Sequence, residues 1–123
     1  MRDKNIVVMV KAKTYEYLCK LGIPANLDGY KYTAYILQKY ATEVVSGNIT
    51  SLLDKVGKEL GSSGSRVERA VRHMIEVSWT NIVDSSLSRQ IENSTKGGNP
   101  TVSSYLTAVA YDYLNSVCDC DNV

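Results

Sequence analysis

Between Ser65 and Glu76 the chain gathers the side chains best suited to chemistry: Arg66, Glu68, Arg69, Arg72, His73 and Glu76, interleaved with apolar residues. Laid on a helix at about 100° per residue, Val67, Ala70, Val71, Met74, Ile75 and Ser78 share one face and the charged residues the other. Three arginines on one exposed face suit DNA. A guanidinium in the major groove donates two parallel hydrogen bonds to a guanine edge, while neighbouring side chains bond phosphate oxygens. The plain alternative is a solvated surface helix laced by Glu68–Arg72 and Arg72–Glu76 pairs four residues apart. Spacing alone leaves the two readings level.

Other reactive residues carry less. His73 is the only histidine and has no second histidine or cysteine beside it, so it makes no zinc site. Cys118 and Cys120 form a Cys-x-Cys followed by aspartates, too few ligands for a closed site. No nucleophile has a base beside it, and Gly61 and Gly64 form no phosphate-binding fingerprint. The expectation is a protein without catalytic residues, cofactor or metal.

The elements that must hold the arginine face are legible as helices. Ser65-Arg66-Val67-Glu68 has the capping-box pattern, in which serine hydroxyl and glutamate carboxylate each satisfy an orphan backbone N–H, and it predicts a helix starting at Ser65. Upstream, Asn48 is placed to cap a helix whose Ile49, Leu52, Leu53, Val56 and Leu60 keep helical spacing up to Gly61-Ser62-Ser63-Gly64. Helix, four-residue turn and second helix make a helix-turn-helix. An earlier helix from Thr14 stops at Leu21, before Gly22 and Pro24. Another, carrying Ala34, Leu37, Ala41, Val44 and Val45, closes at Ser46-Gly47. Leu87 and Ile91 mark a short helix, and Val102, Tyr105, Leu106, Val109 and Tyr113 a final amphipathic one. The tail 118–123 shows no apolar periodicity and is expected to fray.

Size and composition agree with an all-α, compact bundle of about six helices in a single domain spanning 1–123. The chain has 123 residues, 44% hydrophobic and 22% charged, enough for one core. Net charge is only +1, so a nucleic-acid surface must come from local placement of charge. An odd set of three cysteines suits a reducing cytoplasm, and the apolar run Ile6 to Val10 is too short for a membrane span. Nine tyrosines and no phenylalanine suggest aromatic packing whose hydroxyls reach the surface or a partner atom.

Several blocks resemble a known family. They are Ser65 to His73 with Ile75-Glu76-Val77 and Trp79, Leu21 to Leu27 with Gly29-Tyr30, Gly47 to Thr50, and Asn99-Pro100-Thr101. Over roughly 14–114 the chain resembles the C-terminal effector domain of the stage-zero sporulation protein A response regulators of endospore-forming bacteria. The resemblance implies a six-helix fold that binds a short double-stranded DNA box, usually in tandem copies on which two domains pair, and that regulates transcription at sporulation promoters. It implies base contacts from Glu68, Arg69 and Arg72 and backbone contacts from Ser65, Arg66, His73 and Lys96. It also implies contact with the RNA polymerase sigma subunit around Ile82 to Ile91, a stretch that matches the family poorly.

Two departures stand out. A tyrosine-proline pair usual before the turn is missing, with Leu53-Asp54-Lys55 in a segment one residue shorter. No receiver pattern precedes the matching region, so the expectation is an excised effector domain or a stand-alone relative. The rival reading is an interaction domain that kept the fold but lost specific DNA binding.

Overall fold

The computed structural model describes residues 4–42, 47–82, 87–89, 91 and 100–121, and every regular element among them is helical. In chain order these are α1 (Lys4–Lys20), α2 (Asp28–Thr42), α3 (Ile49–Glu59), α4 (Gly64–Ser78), a 3-10 turn (Trp79–Asn81) and α5 (Val102–Asp121). Residues 87–89 and 91 are helical as well. The bundle is all-α, as apolar periodicity predicts.

Most helices form where their stripes lie, with differences at the ends. Asn48 caps α3, its Oδ1 accepting from Ser51 N–H at 2.8 Å. Thr101 does the same for α5, its Oγ1 accepting from Ser104 N–H at 3.1 Å. α1 begins at Lys4, well before Thr14, because the backbone of the apolar run from Ile6 is helical although its residues draw no 3.6-residue stripe. α5 continues through Asp121, further than its apolar periodicity carries it.

α4 lies at the centre, packed against α2, α3 and α5. Its Val67, Val71 and Met74 are fully buried, meeting Val56 of α3, Ile36 and Leu37 of α2 and Leu106 and Val109 of α5 in one continuous core. Burying each such side chain contributes about 1.5–3 kcal/mol, so the apolar face of α4 fixes its orientation and leaves its charged face outward. Leu87 and Ile91 join the same core, as does Leu18 of α1.

α2 settles on α4 at a close crossing. A Cβ on Gly29 would stand 2.6 Å from both the Ala70 carbonyl oxygen and Met74 Cβ, so only glycine lets the two backbones approach this far. One turn on, Thr33 Oγ1 donates to Met74 Sδ at 3.3 Å. The start of α2 is thereby held beside the middle of α4.

Tyrosine hydroxyls join distant elements. Thr14 Oγ1 and Tyr113 Oη share a buried hydrogen bond of 2.6 Å, and Tyr17 Oη donates to Asp112 Oδ2 at 2.6 Å. The rings of Tyr17 and Tyr113 meet edge to face at 5.3 Å. Together these contacts seam α1 to α5. Tyr105 departs from the pattern: its hydroxyl is buried without a hydrogen-bond partner among the described residues, and burial pushes its pKa up.

Candidate nucleic-acid interface

The turn between α3 and α4 is set by backbone hydrogen bonds. α3 ends in a Schellman motif: Ser62 N–H donates to Gly57 O at 2.6 Å and Gly61 N–H to Lys58 O at 3.3 Å. Gly61 sits at φ +70°, the left-handed conformation that glycine adopts at little cost. Ser63 is thereby extended, at φ −139° and ψ 159°. Its Oγ accepts from Arg66 N–H at 3.3 Å and its carbonyl from Val67 N–H at 3.0 Å.

Ser63, not Ser65, is therefore the N-cap of α4. The capping box expected at Ser65 is not formed; Ser65 lies exposed in the first turn, and Glu68 lies beyond the reach of a box closed at Ser63. Released from that role, Glu68 accepts a hydrogen bond from Arg72 Nη2 one turn along the helix.

The two helices meet closely at this turn. A Cβ on Gly57 would stand 2.5 Å from the Ser63 carbonyl carbon and 2.8 Å from Gly64 N. A Cβ on Gly64 would overlap the Asp54 carboxylate, so that acid lies against the first turn of α4, where the helix dipole is positive.

α2 braces the motif from the side. Tyr35 Oη donates to Glu59 Oε2 at 2.6 Å, Lys39 Nζ stands 2.9 Å from the same oxygen, and Tyr32 Oη donates to Ser62 Oγ at 3.4 Å. The Tyr35 hydrogen bond and then Lys39 hold the Glu59 carboxyl below its ordinary pKa. Lys39 is buried, with its ammonium 5.4 Å from the Tyr35 ring centroid.

Of the residues expected to touch DNA, six fall on α4, and the helix brings them to one surface. Ser65, Arg66, Arg69, Arg72 and His73 are exposed and Glu68 is half-buried. Arg72 has a side chain 65% exposed, open to a partner even while it holds Glu68. Lys96 lies outside the described residues. So do residues 83–86 and 90 of the stretch Ile82 to Ile91, in which Leu87 and Ile91 are buried and Arg89 exposed.

The two flanks of α4 differ in chemistry. Toward α2, Arg66, Arg69 and His73 line an open cleft of about 340 Å³, closed on its other side by Asp28, Tyr32 and Ser62. Toward α5, Arg72 and Glu76 edge a shallow groove floored by Ile75, Pro100 and Val102. Asp28 and Tyr32 were not singled out by sequence reasoning, since only the crossing at Gly29 brings them to α4, and Ser62 was read only as part of the turn. The spacing of Asp28 and Tyr32, one turn apart on α2, was the available signal.

α3 and α4 thus form a closely paired, capped helix-turn-helix with a cationic outward face. The family described as sporulation initiation factor Spo0A C terminal matches residues 14–113. The chain belongs to this family. The Spo0A C-terminal domain is the DNA-binding effector domain of a sporulation regulator, a regulatory rather than an enzymatic class. Its match begins at Thr14 and ends at Tyr113, the two residues whose hydroxyls meet in the α1–α5 seam.

Among the described residues no group of three or more histidine, cysteine or carboxylate side chains could hold a metal ion. No described helix is long and apolar enough to cross a membrane.

Proposed function

We propose that this Spo0A-type domain reads double-stranded DNA by sequence, with α4 as the recognition helix in the major groove. The observation that carries the reading is the outward face of α4: Arg69 and Arg72 stand exposed one turn apart on a helix whose opposite face is locked in the core. In this reading each guanidinium donates in bidentate fashion to a guanine, and Glu68 holds Arg72 and accepts from a cytosine amino group. Ser65, Arg66 and His73 bond the backbone, as does Lys96. The Glu68–Arg72 pair keeps Arg72 ordered before binding, which lowers the side-chain entropy lost on docking.

Selection of bound duplexes from a random pool, followed by titration at stated salt, tests this. A consensus box is expected, and Arg69→Ala and Arg72→Ala each cost about 1–3 kcal/mol on it while relaxing preference at single base pairs. Equal losses on box and random duplex would reduce both arginines to phosphate contacts. Failure to enrich any sequence would favour an interaction domain that kept the fold without specific binding.

A further inference from the structure

We propose that the cleft between the start of α2 and α4 seats one backbone phosphate, with Tyr32 and Ser62 as hydroxyl donors beside Arg66, and that Asp28 in the same cleft restrains affinity. The proposal rests on the DNA-binding reading and adds residues that the arginine face does not contain.

The chemistry of the walls suits a phosphate oxyanion. Two guanidiniums, an imidazole and two hydroxyls face the opening, with Ala70 at the floor and one opposing carboxylate from Asp28. Tyr32 Oη and Ser62 Oγ are 3.4 Å apart, longer than an ordinary O–H···O hydrogen bond, so both hydroxyls can turn to a stronger, charged acceptor. The cleft is also continuous with the reading face, because Arg69 belongs to both.

Other places along α4 suit a phosphate less. The flank toward α5 carries Glu76, with Glu68 on the same side. The first turn has the Asp54 carboxylate against Gly64, supplying the negative charge that a helix N-terminus would otherwise draw from DNA. The α2 flank is the side on which cationic groups outnumber acids.

Tyr32→Phe keeps the ring and Ser62→Ala keeps the turn; each is expected to weaken binding roughly 5- to 20-fold, equally on the selected box and on random duplex. Melting temperatures close to the parent's serve as the folding control. Asp28→Asn is expected to tighten binding roughly 3- to 10-fold at low salt, a gain that shrinks as salt rises. A merely structural role would not produce that gain. Duplexes with a neutral methylphosphonate at one position at a time locate the seat: at one position the parent loses affinity and Tyr32→Phe loses little more. Parent-like binding by Tyr32→Phe, or unchanged affinity in Asp28→Asn, would overturn the phosphate seat while leaving α4 as the reader. A parent that binds no duplex at low salt would overturn the DNA reading itself, and the seat with it.

Discussion

Glu59 takes a hydroxyl from Tyr35 and an ammonium from Lys39, and both favour its charged form, the Tyr35 hydrogen bond first. Its folded pKa is thus depressed, so the stability it supplies is full above the ordinary carboxylate range and is lost as pH falls through the lowered folded value. Denaturant titrations from neutral to acid pH should show this loss in the parent and a flatter profile in Glu59→Gln. An equally steep profile in the variant would assign the acid sensitivity to other carboxylates. Lys39 is tolerated at a buried position because that carboxylate meets it. At this scale the sequence is legible where a property belongs to one helix: the charged face of α4 follows from its own spacing. Glu59, Tyr32 and Asp28 were not legible, because each acquires its role from a residue on another helix.

The start of α4 shows the same boundary between local and non-local cause among whole elements. Ser65-x-x-Glu68 has the residue types of a capping box, yet the Schellman closure of α3 uses Ser62 N–H and leaves Ser63 as the extended residue. A cap two residues earlier follows, decided by how α3 ends and not by how α4 reads. Ser63→Ala should therefore cost about 0.5–2 kcal/mol of stability, and Ser65→Ala much less, as read from paired denaturation curves. The reverse order would restore Ser65 as the cap. The stripes of α2, α3 and α5 were legible because each buries one face. The first turns of α1 were not, because the run from Ile6 lacks that one-sided pattern.

Across the molecule, the recognition motif and the α1–α5 seam differ in how far apart their parts lie along the chain. α3 and α4 are neighbours joined by four residues, whereas Thr14 and Tyr113 are separated by 99 positions. Closing a long loop costs entropy before its contacts return any, so the local pair is the natural nucleus and the seam docks late. Kinetics carry the consequence. Thr14→Val should leave the folding rate near that of the parent and speed unfolding, while Val56→Ala or Val67→Ala should slow folding. Chevron plots for the three variants separate the cases, and a slowed folding arm in Thr14→Val would move the seam into the transition state. Late docking also makes the seam the first tertiary contact to open, so the amides of α1 should exchange with solvent deuterium well before those of α4.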